Sequence, residues 1–78
     1  MQPYELTELF RRNIRQRRIE LGLTQLDLAQ RLGVDQGYIS DIERGRRNPN
    51  LTRLAPLAEA LDTTPSALLS AVSMARVG

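Results

Sequence analysis

The 78-residue sequence predicts an all-α fold, a compact five-helix bundle, on three observations. Apolar residues recur at three- and four-residue spacing in five separate runs. Glycines and prolines punctuate those runs where helices stop or start. The composition, 41% hydrophobic with one Phe and no Trp or Cys, is that of an ordinary globular chain with an aliphatic core and no disulfide. The expectation is one domain spanning 1–78.

The first helix is predicted over Tyr4–Leu21. Leu6, Phe10, Ile14 and Leu21 share one stripe, with Leu9 beside them. Arg18 lies on the same stripe, so it should be partly buried and need a partner. Gly22 closes the helix, because glycine tolerates the left-handed conformation that ends it. The second helix starts at Thr24 as N-cap, and Asp27 three residues later completes an acidic variant of the capping box. Leu28 and Leu32 point inward, Ala29 leaves room for a close helix approach, and Gly33 is the stop. Val34 then plugs the core and Asp35 caps a third helix running to Arg44, with Ile39 and Ile42 inward and Gly45 as terminator. Two short helices joined by a glycine turn, about residues 25–44, make a helix-turn-helix arrangement.

A fourth helix follows on Leu51, Leu54, Leu57, Ala58 and Leu61, capped by Asn50 or Thr52. Pro56 interrupts it, so the helix either starts late, near Thr52 or Arg53, or bends there. A fifth begins with Thr64 and Pro65, a favoured start pair, and runs over about 65–75.

All eleven basic residues are Arg, and the net charge is +2. Five lie in "RRNIRQRR" (11–18), and Arg44, Arg46 and Arg47 lie in "RGRRNPN". Arg presents a planar fork of donors to an anion, so two clusters flanking one motif point to phosphate contact. Arg11, Arg12 and Arg15 read more simply, as solubilising charges on the first helix. The lack of His and Cys removes the common catalytic bases and thiolate zinc sites, and the scattered acids form no two-carboxylate or metal-ligand arrangement. An enzyme, a cofactor and a metal are therefore not expected. No apolar run approaches the length of a membrane span, and "MQPYELTELF" lacks a signal-peptide pattern, so a cytoplasmic protein is expected.

Counted from Gln25, apolar or small residues fill the fourth, fifth, eighth, tenth, fifteenth and eighteenth places (Leu28, Ala29, Leu32, Val34, Ile39, Ile42), and Gly33 is ninth. That spacing resembles the helix-turn-helix of the lambdoid phage repressor and Cro family, the xenobiotic-response-element family. The likeness extends through "RQRRIELGLTQLDLAQRLGVDQGYISDIERGRRNPNLTRLAPLAEAL" and covers roughly residues 9–69.

The resemblance implies a five-helix bundle that presents its third helix, 36–44, to the DNA major groove, where each base pair shows a distinct donor and acceptor pattern. With Ile39 and Ile42 buried, helical geometry turns Gly37, Ser40, Asp41 and Arg44 outward and sets Gln36, Tyr38 and Glu43 on the flanks. Family members that share the two glutamines use the first, here Gln25, on a phosphate and in support of the second, here Gln36, which reads adenine. Thr24 starts the same DNA-facing set. Gly37 replaces the commoner small polar residue; it either permits close approach to a base or leaves a flexible helix start. Tyr38 either donates to a phosphate or packs its ring on the flank. Arg44, Arg46, Arg47 and Asn48 are expected on backbone phosphates, which set position rather than sequence.

The resemblance also implies that Arg18 pairs with Glu43, locking the first helix to the third. It implies a homodimer on a palindromic operator, with Leu68, Leu69, Val72 and Met74 as the dimer surface, although Leu68 and Leu69 could equally complete the monomer core. The function expected is a sequence-specific transcriptional regulator, a repressor, with no membrane or small-molecule partner; the competing reading is a protein-interaction module.

The segment 24–45 carries four acids, Asp27, Asp35, Asp41 and Glu43. Two serve helix starts and one turns inward to Arg18. Asp41 faces outward, to accept from a cytosine, to repel wrong sites, or as a tolerated surface acid.

Overall fold

A computed structural model describes residues 3–70 of the chain. The helices are α1 (Pro3–Glu20), α2 (Gln25–Leu32), α3 (Gln36–Glu43), α4 (Leu51–Ala60) and α5 (Pro65–Leu68). Among the described residues there is no strand. α2 packs chiefly on α3, α1 crosses α3 and α5, and α4 closes the bundle against α2 and α5. The core joins Phe10 and Ile14 of α1 to Leu28, Ala29, Ile39, Ile42, Leu57, Ala58, Leu61 and Leu68.

The helix starts follow capping chemistry. The Thr24 hydroxyl accepts from the Asp27 amide at 2.9 Å, and the Asp27 carboxylate accepts from the Thr24 amide at 2.9 Å. Hydrogen bonds to the Asp27 carboxylate, from the Thr24 backbone N–H first and the Thr24 side chain second, lower its pKa. A carboxylate lowered on folding stabilises the fold above its ordinary pKa, and that contribution is lost as pH falls through the depressed value. Asn50, rather than Thr52, caps α4 by accepting from the Arg53 amide, and Thr64 caps α5.

Asp35 departs from expectation. It occupies the N-cap position of α3 with extended backbone, yet its side chain makes no cap hydrogen bond. The Tyr38 amide donates instead to the Asp35 backbone carbonyl at 3.1 Å, which satisfies the donor a cap would have taken. The carboxylate still complements the positive end of the helix by position.

Three further differences concern where the apolar stripes end. α4 begins at Leu51 in spite of Pro56, so it does not start late; Pro56 is exposed, which puts its missing hydrogen bond and its ring on the solvent side. Leu51, first on the α4 stripe, is 85% exposed because the stripe overhangs the core there. Leu68 is fully buried in the monomer core, which removes it from a dimer contact and corrects that assignment. Val72 and Met74 lie outside the described residues.

Arg17 of the first cluster and Arg31 of α2 hold helices together. Arg17 donates to the Leu61 and Asp62 carbonyls at 2.9 Å each, and Arg31 to Ala60 at 3.1 Å, so two guanidiniums cover the electronegative end of α4. Asp62, with φ 54°, holds the left-handed turn at that end. Asn13, which the sequence reading did not single out, is 3% exposed and donates to the Leu68 and Ser70 carbonyls at 2.8 and 3.0 Å, tying the end of α5 to α1.

Candidate nucleic-acid interface

The α2–turn–α3 unit is fixed from beneath by one ion pair. Arg18 donates through Nε and Nη2 to both carboxylate oxygens of Glu43, at 2.6 and 2.9 Å, and through Nη1 to the Leu23 carbonyl at 2.8 Å. The side chains of Arg18 and Glu43 are 11% and 3% exposed. The predicted pair therefore exists as a two-pronged bond, and the hydrogen bonds that Arg18 donates to Glu43 raise its pKa. Arg11 adds a second tie, donating to the Glu43 backbone carbonyl at 3.0 Å while pairing with Glu8. Its role is thus to join α1 to the end of α3 rather than only to solubilise α1.

The same carboxylate orients Gln25. Its Nε2 donates to Glu43 Oε1 at 3.2 Å. An amide nitrogen carries two hydrogens, so one is left beyond the bond to Glu43, beside the exposed Thr24. Chain register alone does not reveal this bond, because Gln25 and Glu43 are eighteen residues apart.

On α3, Ile39 and Ile42 are buried. Gln36, Gly37 and Arg44 are exposed, and Ser40 and Asp41 are partly buried. Gly37, Tyr38, Asp41 and Arg47 line one polar cleft with Gly33, Val34, Asp35 and Arg53. The Tyr38 ring is packed on the flank, where the Arg47 and Arg53 guanidinium carbons stand 5.2 and 5.3 Å from its centroid. Each such contact is worth about 0.5–1 kcal/mol at an exposed site. Arg44, Arg46, Arg47 and Asn48 are exposed, and their side chains make no hydrogen bond or ion pair among the described residues. Arg53 was not anticipated; its signal is an arginine in the first turn of α4, three residues after a cap residue.

A Cβ on Gly37 would meet nothing within 4 Å. Glycine inside a helix costs about 0.5–1 kcal/mol relative to alanine. Gly37→Ala is therefore expected to raise Tm by a few degrees, at roughly 4–8 °C per kcal/mol for a domain of this size. If the missing Cβ serves close approach to a base, affinity for operator DNA falls in the same variant. Thermal unfolding followed by circular dichroism checks the first part, and an unchanged or lower Tm refutes it.

Comparison with known proteins agrees with this geometry. The family model described as helix-turn-helix matches residues 14–68. An uncharacterised helix-turn-helix-type transcriptional regulator of Sinorhizobium fredii is 44% identical over 57 residues, 73% of this chain and 74% of that protein. The immunity repressor of Bacillus phage phi105 is 42% identical over 52 residues, 67% of this chain but 36% of the repressor. Among solved structures, a restriction–modification controller tetramer in complex with its natural 35-base-pair operator superposes with a TM-score of 0.74 at 33% identity, covering 81% of this chain and 83% of that one.

Proposed function

This chain belongs to the helix-turn-helix family of DNA-binding transcriptional regulators, and from that premise we propose that it represses transcription by binding a palindromic operator as a homodimer. α3 enters the major groove, Gln36 reads a base edge, and Gln25 with Thr24 holds a phosphate at the start of α2. Arg44, Arg46, Arg47 and Asn48 follow the backbone beyond α3. The observation that carries the reading is the continuous polar face from Gln36 to Asn48, whose exposed arginines make no side-chain hydrogen bond or ion pair among the described residues, while Arg11, Arg17 and Arg18 of α1 are spent on the fold. One short helix reads only a few base pairs, so a two-fold pair of half-sites about one helical turn apart supplies the remaining specificity.

The dimer surface in this reading is an apolar groove. Leu69 lines it with Leu6, Leu51, Leu54 and Phe10, beside Asn48 and Pro49 at the end of the arginine loop. Leu6, Leu51 and Leu69 are exposed there. The protein acts in the cytoplasm on nucleoid DNA in this reading; no helix of the described residues is long and apolar enough to cross a membrane.

Selection of bound duplexes from a random pool, followed by salt titration of the enriched sequence, tests the proposal. A palindrome should emerge, and the logarithm of affinity should fall linearly with the logarithm of salt, by about 0.9 per phosphate neutralised. No enrichment with a flat salt response would overturn it in favour of a protein-interaction module.

A further inference from the structure

Arg53 completes an anion site that the reading of α3 leaves out. Two guanidiniums, of Arg47 from the loop and Arg53 from the first turn of α4, lie over the single ring of Tyr38. Neither side chain makes a hydrogen bond or an ion pair among the described residues. Each guanidinium carries five N–H donors, so the donors of both remain unspent. Like charges gathered on one ring repel, and the ring quadrupole offsets this only in part. An anion shared by the two would resolve both the repulsion and the unspent donors.

The surroundings say from which side such an anion comes. Tyr38, Arg47, Asn48, Asn50 and Arg53 line one polar recess. The Asn50 side-chain oxygen is occupied by the Arg53 amide and the Thr52 hydroxyl, which leaves its NH2 as a donor. Asp35 and Asp41 line the neighbouring cleft, which shares Tyr38, Arg47 and Arg53 with this recess, and there they repel an anion. The neutral asparagine side is the open approach.

We infer that Arg47 and Arg53 together bind one phosphate of the DNA backbone from the Asn48–Asn50 side, with the Tyr38 ring as the platform that positions both. The inference rests on the DNA-binding reading and deepens it by adding Arg53 as a contact and Tyr38 as a positioning residue. Arg53 uses its backbone amide, not its side chain, for the Asn50 cap, so Arg53→Ala keeps the helix start.

The experiment measures affinity and salt slope for two duplexes, the one enriched from a random pool and one of unrelated sequence. Arg53→Ala should weaken both by the same factor and reduce the salt slope by about 1.8, which is about 0.9 for the phosphate in each half-site. Between 50 and 200 mM salt it would then lose roughly twelvefold less affinity than wild type. Tyr38→Leu should reduce the slope in the same way, Tyr38→Phe should not, and the Arg53→Ala/Tyr38→Leu double variant should lose less than the two single effects combined. An unchanged slope for Arg53→Ala, against a steep wild-type slope, overturns the site and leaves the DNA reading standing. A loss confined to the enriched duplex also overturns it, by making Arg53 a base contact. Inorganic phosphate titrated alone, followed by NMR of the arginine Nε–H signals, separates the two phosphate sources: saturation of Arg53 by free phosphate together with an unchanged DNA slope assigns the site to a free anion and overturns the inference. Wild-type protein that binds neither duplex overturns the DNA reading, and this site with it.

Discussion

Glu43→Ala is expected to cost on the order of 3–5 kcal/mol, because it strands a buried charge rather than merely deleting a contact. Arg18 would lose its bonds from Nε and Nη2 and keep only the Leu23 carbonyl. Its guanidinium is too enclosed, at 11% exposure, for water to replace them fully. Single domains are stable by about 5–15 kcal/mol, so the variant gives up a large share of its stability. Tm should fall by at least roughly 12 °C, and a Tm equal to wild type would refute the assignment. The Arg18→Met/Glu43→Leu double variant separates stability from function. Replacing both partners of a buried pair by apolar residues is often neutral or stabilising, so Tm should recover. Gln25 would still lack the acceptor at 3.2 Å that orients it, and DNA affinity should stay reduced. The hydrogen bonds that Arg18 donates to Glu43 raise its pKa, so deprotonation of the guanidinium is not what would release the pair.

The parts of this structure that were legible beforehand share a property: each residue's demand could be met only nearby or only by one kind of partner. Arg18 in an apolar stripe had to find an acid, and Glu43 stood at the edge of the facing helix. Gly22 and Gly33 sit at φ 73° and 76°, where a side chain is unwelcome, so they marked helix ends by themselves. The capping box at Thr24 and Asp27 is complete within four residues of chain. What was not legible depends on register between distant elements. Asn13 and Leu68 are fifty-five residues apart, and no local pattern announces that an amide in the middle of α1 will hold the end of α5. Arg53 meets Tyr38 only because the loop after α3 folds back beside the start of α4. Helical period placed Leu51 and Leu61 on one stripe, but period alone cannot say which end of a stripe overhangs its core. The outer face of α3 was legible as a face. The partnering of its flank residues, Gln25 with Glu43 and Tyr38 with two arginines, was not.

Gln36→Ala should sharply reduce sequence discrimination while sparing the fold. Gln36 is exposed at the first position of α3, and no hydrogen bond ties its side chain to a described residue. Surface substitutions of this kind usually change stability by about 0.5 kcal/mol or less, so Tm should hold. A glutamine amide paired bidentately with adenine is worth about 1–3 kcal/mol of discrimination. A two-fold dimer makes the contact once in each half-site, which doubles the expected loss to about 2–6 kcal/mol on the operator. The lower end of that range is already about a thirtyfold weaker complex. The unrelated duplex should bind as before, because nonspecific binding is carried by phosphate neutralisation and Gln36 contributes no charge. Arg46→Ala is the control of opposite kind, expected to weaken both duplexes equally and to lower the salt slope. Fluorescence anisotropy with the two labelled duplexes gives the ratio directly. If Gln36→Ala weakens both in parallel, the residue holds backbone instead of reading a base, and the specificity of α3 must lie with Ser40, Asp41 or Arg44.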